Sequence, residues 1–207
     1  MILKRSNYII TQLFIAYLLL YTPLSHSALI HPHQILNHLD NYGNLYLRNS
    51  PYSQLPDGLV IKGNLNISKT PIAQLPGSLI IEGSLEASEG ALRQVNPGIS
   101  IKGYANLAHS KITHWPSNIR VGGYLNFTDT PLQSLAGGLR VRGDLSVIRT
   151  PLSTLPNGII IEGDLYIGGS SITTFPEIMT VNGNIFLGGN QITQWPSSLQ
   201  LGGAVAP

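Results

Sequence analysis

A glycine returns every 20 residues, at Gly43, Gly63, Gly83, Gly103, Gly123, Gly143, Gly163, Gly183 and Gly203. Apolar columns travel with it. Two residues after the glycine stand Leu45, Leu65, Leu85, Ala105, Leu125, Leu145, Leu165, Ile185 and Val205, and two further on come residues such as Leu47, Ile67, Leu107 and Phe127. Two residues before it stand Ile61, Ile81, Ile101, Val121, Val141, Ile161, Val181 and Leu201. Two more columns close the period, one through Ile72, Leu92, Ile112 and Leu132, the other through Leu75, Val95, Trp115 and Leu135. A fixed period of this length, kept without an insertion, means a solenoid. One such unit cannot repay the entropy of ordering its own backbone. Stacked units bury the same side chains against both neighbours, so stability is built between neighbours.

Within one unit, Leu59, Ile61, Leu65 and Ile67 alternate with residues of mostly polar character, which is strand periodicity with one buried face. Gly63 interrupts that run and predicts a bend where a side chain would clash. Thr70-Pro71 and Leu75-Pro76 read as turns on the return path, because proline cannot donate to a ladder. Ile35, Leu36 and Leu39 suit a short helical turn capping the stack, or a degenerate first unit. The expected architecture is a mainly β solenoid of about nine rungs over 43–207, with 28–42 as the cap.

The first 27 residues have a different composition. Lys4 and Arg5 precede an apolar stretch from Tyr8 to Tyr21, shorter than the about 20 residues a membrane helix needs. Ser25 and Ser27 then supply the small residues of a cleavage site before Ala28. A signal peptide over 1–27 and a secreted or periplasmic product are expected, with no stable membrane span after cleavage. An uncleaved anchor is the other reading. With Lys4 and Arg5 removed, ten bases face ten acids, so the basic pI belongs largely to the leader. Nucleic acid loses its electrostatic case as a partner. The absence of cysteine excludes a disulfide scaffold, a thiolate metal site and a cysteine nucleophile.

The segment Leu65-Asn-Ile67-Ser-Lys-Thr70-Pro-Ile72-Ala-Gln-Leu75-Pro76 resembles the leucine-rich repeat pattern LxLxxNxLxxLP. It is most similar to the short bacterial repeats of secreted effectors, and the likeness runs over nearly all of 40–207. That resemblance implies a binding module, with a protein partner that a host would supply. The ubiquitin-ligase members of that family carry a further domain with a catalytic cysteine, which this chain lacks. Two departures are visible. The asparagine position holds Ser50, Thr70, Gly90, Ser110, Thr130, Thr150, Ser170 and only once Asn190, so a hydroxyl ladder would replace an asparagine ladder. Ile61-x-Gly63 adds an apolar position before the usual strand, which leaves both a horseshoe and a flat right-handed β-solenoid open.

Function is expected on the even-numbered strand positions, which face solvent. One column there runs Tyr46, Asn66, Glu86, Asn106, Asn126, Ser146, Tyr166, Phe186, and its neighbour Asn44, Asn64, Ser84, Tyr104, Tyr124, Asp144, Asp164, Asn184. At about 4.8 Å per rung, Tyr104 should stack on Tyr124 and Tyr166 on Phe186. These four are candidate partner-binding residues; plain cross-strand ladders are the alternative. Charge is banded along the axis. Residues 101–150 hold six bases and two acids, whereas 151–207 hold three acids and no base. Arg120, Arg140 and Arg142 join the candidate set as an anion-binding band, with Lys102 nearby. Against it, Glu82 can pair with Lys62 and Lys102, and Glu162 with Arg142.

No catalytic set emerges from His31, His33, His38, His109 and His114, and no cofactor or metal is called for; a His31, His33, His38 metal cluster would be accidental. Three function classes remain. The first is an exported protein-binding module without catalysis. The second is a carbohydrate-binding or carbohydrate-active surface solenoid, for which Asp144, Asp164 and Arg142 are a thin acid–base set. The third is a self-assembling solenoid that associates through the open rung around Val205.

Overall fold

The computed structural model describes residues 28–207; the signal-peptide assignment, 1–27, lies outside the described residues. The chain winds as a mainly parallel β-solenoid with three strand-bearing faces. The front face is one nine-stranded sheet, from Leu45–Tyr46 to Val205–Ala206, paired in steps of 20 residues. The flank face precedes the glycine and carries strands such as Val60–Ile61 and Ile80–Ile81. Of the two geometries left open by the sequence, pairing around the rung is that of a β-solenoid.

The third face corrects one expectation. The stretches before the second proline do not all behave as turns. Gln74–Leu75 pairs with Gln94–Val95, and His114–Trp115 with Ser134–Leu135. Pro76 and Pro116 follow these strands and end the ladder there, whereas Ala136, in the same column, extends it with an N–H donated to the Trp115 carbonyl at 2.9 Å.

The predicted bend holds. A Cβ on Gly63 would lie 2.8 Å from the Asn44 backbone nitrogen, and one on Gly183 would lie 2.7 Å from the Gly163 carbonyl oxygen. Successive rungs touch backbone to backbone at this corner. The Gly83 N–H donates to the Gly63 carbonyl at 2.9 Å, and the Gly183 N–H repeats the bond at 3.0 Å. Odd-numbered positions on either side of the corner point inward, so Leu65, Ile67, Ile81 and Leu85 are buried almost completely.

A second corner follows the front strand. Asn49, Lys69, Glu89, His109, Asp129 and Arg149 all adopt left-handed backbone there, with φ between 52° and 59°. Non-glycine residues pay about 1–2 kcal/mol for that conformation. Inter-rung bonds compensate, as where the Lys69 N–H donates to the Ser88 carbonyl at 3.1 Å. Charge alternation adds to this: Lys69 reaches Glu89 at 3.1 Å, and Arg149 Nε donates to Asp129 at 2.6 Å.

The expected hydroxyl ladder is also corrected. Thr70 Oγ1 donates to the Ile67 carbonyl of its own rung at 2.7 Å, and Thr130 and Thr150 repeat the bond to Phe127 and Val147. A threonine hydroxyl is too short to reach the next rung once it closes its own turn. Among the described residues, Asn190 alone in this column bridges rungs with its side chain, donating to Ser170 Oγ at 3.0 Å.

At the start, Ala28–Leu29 pairs parallel with Tyr52–Gln54. Pro32–Ile35 forms one helical turn, continued by a tighter turn over Leu36–His38. Ile30 and Ile35 are buried against the first rungs. Among the described residues, no helix is long and apolar enough to cross a membrane.

Candidate binding surface

The column directly after the corner glycine organises the front face. Its side chains accept from the backbone of the following rung. Asn44 Oδ1 takes the Asn64 N–H at 2.7 Å, Asn64 takes Ser84, and Ser84 Oγ takes Tyr104. Further on, Asp144 takes Asp164 at 2.9 Å, Asp164 takes Asn184 at 2.6 Å, and Asn184 takes Ala204. Asp164 is held below the ordinary carboxylate range, chiefly by the Asn184 N–H and further by the Tyr166 hydroxyl and the Asn184 amide. Asp144 and Asp164 are thereby occupied in the backbone ladder. The sequence reading placed such a ladder in the wrong column. The short acceptors at every twentieth position carried the signal.

The ladder lapses at Tyr104 and Tyr124, whose side chains accept nothing from the next rung. Their rings stack instead, with centroids 4.4 Å apart and planes 7° apart. Tyr166 and Phe186 stack likewise at 4.7 Å and 4°. Both expected pairs therefore form. Tyr124 is 37% exposed, yet burial against Tyr104 pushes its phenol up to about 12, with the charge on Tyr104 adding to the shift. Rings stacked along the solenoid axis present edges and hydroxyls outward rather than flat faces. Alongside the Tyr104–Tyr124 pair, the outer column is a plain ladder, as Asn126 donates to Asn106 at 3.1 Å and Asn106 to Glu86 at 2.8 Å.

The flank face contains a breach. Its strands fall into two four-stranded sheets, one ending at Arg120–Val121 and the other beginning at Arg140–Val141. Elsewhere on this face, N–H groups donate to the preceding rung: Ser100 to Leu79 at 3.0 Å, Arg120 to Ile99 at 3.2 Å, Ile160 to Leu139 at 3.1 Å and Glu162 to Val141 at 2.9 Å. Among the described residues, the equivalent N–H groups of Arg140 and Arg142 find no acceptor, and the Gly143 bond to Gly123 is missing. Gly122 keeps the ladder bond of its column, to the Ile101 carbonyl at 2.9 Å, and shares its N–H with the Gly103 carbonyl at 3.1 Å, an acceptor that in other rungs takes the N–H of the corner glycine. A Cβ at Gly122 would collide with the Lys102 carbonyl, so this displaced path requires glycine. The front sheet continues across the joint, where the Leu125 N–H donates to Asp144 at 2.8 Å.

Beside the breach lies a cleft of about 590 Å³ lined by Lys102, Arg120, Arg140 and Arg142 and by the half-buried Ile119, while Ile101 and Val121 beneath it belong to the buried core. The three candidate arginines are thus brought together, while Tyr104 and Tyr124 sit on the adjoining front face outside the cleft. Glu82 pairs with Lys62 at 3.2 Å and with Lys102 at 3.6 Å, as the columns implied. Glu162 does not pair with Arg142. Arg140 Nε donates to it at 2.8 Å, from one rung back and two positions over. The diagonal partner is reached here and the in-column partner is left, unlike at Glu82, whose two partners stand in its own column. Among the described residues, Arg120 and Arg142 have no carboxylate within ion-pair distance.

The histidine-rich segment is local packing. The rings of His31 and His33 stack at 5.8 Å, and His38 meets the edge of Tyr52. Among the described residues, no three metal-ligating side chains converge. The chain matches no family model, no curated protein and no solved structure.

Proposed function

We infer that this chain is an exported recognition module, similar to leucine-rich repeat proteins, that binds a protein partner from its surroundings through the front face and performs no catalysis. The observation that carries this is the lapse of the structural ladder at Tyr104 and Tyr124. Every neighbouring position in that column spends its side chain on the next rung. Two tyrosines here give up those bonds and place polarisable edges and hydroxyls at the surface. Tyrosine anchors of this kind are enriched where proteins bind proteins. Carbohydrate recognition is supported less, because pyranose rings stack on flat aromatic faces, and these rings face one another. Asp144 and Asp164, the carboxylates a sugar-cleaving reading would use, are engaged by backbone N–H groups.

The test is affinity capture from host extracts and extracellular fluid with the parent and a Tyr104→Ala, Tyr124→Ala variant, followed by titration with the purified captured protein. A partner that binds the parent and loses at least tenfold in affinity with the variant supports the reading. Equal binding by both removes the tyrosine pair from the interface. Capture of nothing but the chain itself would favour self-assembly.

A further inference from the structure

We propose that the breach between the Gly123 and Gly143 rungs is an oxyanion site that holds the phosphate or sulfate group of a small organic ester, with the organic part lying in the rest of the cleft beside Ile119. Four features meet there. The guanidinium groups of Arg120 and Arg142 lack carboxylate partners among the described residues, and none of the cleft's lining residues is acidic. Arg140 is held by Glu162 in a two-nitrogen grip at 2.6 and 2.8 Å, which orients one wall. The N–H groups of Arg140 and Arg142, turned toward the preceding rung by the strand pattern, have lost their carbonyls. Lastly, the volume of about 590 Å³ exceeds what a bare tetrahedral ion needs and lies within the about 300–1,000 Å³ of small-molecule sites.

The chemistry selects the ligand class. Guanidinium groups bind oxyanions through paired N–H donors, and successive backbone N–H groups form anion-binding concavities. Two arginine forks and two backbone donors offer more hydrogen bonds than the two oxygens of a carboxylate can take, whereas a phosphate or sulfate monoester presents three terminal oxygens. The departures from the repeat also converge at this joint: Arg120 one rung before Arg140 in the same column, Gly122 at a position that holds a side chain in the other rungs except at Gly202, and Ala136-Gly137-Gly138 where they place a proline. Like charges on adjacent rungs destabilise a stack. Rules of a repeat broken together at one joint are the mark of a functional site.

Isothermal titration of the purified protein with glucose 6-phosphate, glucose 6-sulfate, inorganic phosphate, inorganic sulfate and glucose tests this. One ester should bind more tightly than either inorganic ion, glucose should not bind, and the tighter ester identifies the group. Arg120→Gln with Arg142→Gln should weaken binding by about tenfold or more, and the two lysine replacements should fall between. A Lys62→Gln variant, outside the cleft, should bind as the parent does. In the parent alone, the amide NMR signals of Arg140 and Arg142 should shift on titration, a readout that depends on no variant. Absence of ester binding at millimolar concentration, inorganic ions binding as well as esters, unchanged affinity in the glutamine variant, or unmoved Arg140 and Arg142 amides would each overturn the proposal. The Tyr104→Ala, Tyr124→Ala variant should still bind the ester, so this site and the protein-binding face fail or stand separately.

Discussion

The ring of Tyr104 lies flat against that of Tyr124, 4.4 Å between centroids, at the step where side-chain acceptors cease to stitch one rung to the next. The substitution is nearly even in energy. An aromatic pair is worth about 0.5–1.5 kcal/mol beyond its buried area, and a hydrogen bond contributes about the same net amount. The stack therefore replaces a ladder bond without a large cost, which leaves the pair free for the surface role proposed above.

Tyr124→Asn should separate these two contributions. Asparagine restores an acceptor for the Asp144 N–H while removing the stack. Urea unfolding should change by no more than about 1 kcal/mol, and partner binding should be lost. A spectrophotometric titration of the parent should also show one phenol ionising only toward pH 12, absent from Tyr124→Phe. A large loss of stability in the asparagine variant would mean the tyrosine pair is structural.

Glycine substitutions should divide by corner. In Gly183→Ala the new Cβ would press on the Gly163 carbonyl carbon and oxygen at 2.7 Å, and neither is the end of a flexible side chain. Overpacking of that kind costs about 1–3 kcal/mol or more. Gly137→Ala meets nothing within 4 Å and should change stability by less than about 0.5 kcal/mol. Equal losses in the two variants, measured by urea unfolding, would contradict the backbone-contact account of the corner.

Acid should loosen the second corner through Asp129. The hydrogen bonds from Arg149 hold this carboxyl below its ordinary value of 3.8, with the Arg149 and His109 charges adding to the effect. A depressed folded-state pKa contributes stability that is present above the unfolded value and is lost as pH falls through the folded value. The parent's melting temperature should fall faster than that of Asp129→Asn below about pH 4. Parallel curves down to pH 2 would show that the pair contributes nothing.

The two tryptophans of one column should differ sharply. Trp115 is 2% exposed and packs edge-on against Phe127 at 5.3 Å, whereas Trp195 is 43% exposed. Trp115→Ala should cost about 3–5 kcal/mol, and Trp195→Ala well under half of that. Its indole N–H has no acceptor among the described residues, so Trp115→Phe should lose packing volume only. Comparable melting temperatures for the two alanine variants would refute the burial assignment.

Sequence periodicity alone determined that the chain stacks, which residues line its core, which glycines form the tight corner and which aromatic rings meet, because all of these depend on repetition and on the small distance between rungs. It could not determine what happens where repetition fails. Glu162 has candidate bases in two columns, and the fold brought it to Arg140. Thr70 could reach up or back, and its short side chain closed its own turn. Arg120, Arg140 and Arg142 read as one basic band, but nothing in their order shows that the flank ladder breaks between them. Only the folded stack, in which the Arg140 and Arg142 N–H groups meet no carbonyl of the preceding rung, brought the three arginines around one cleft. The reason is physical: a ladder bond depends on two backbones meeting within hydrogen-bond reach, and that depends on three-dimensional position rather than on the identity of either residue.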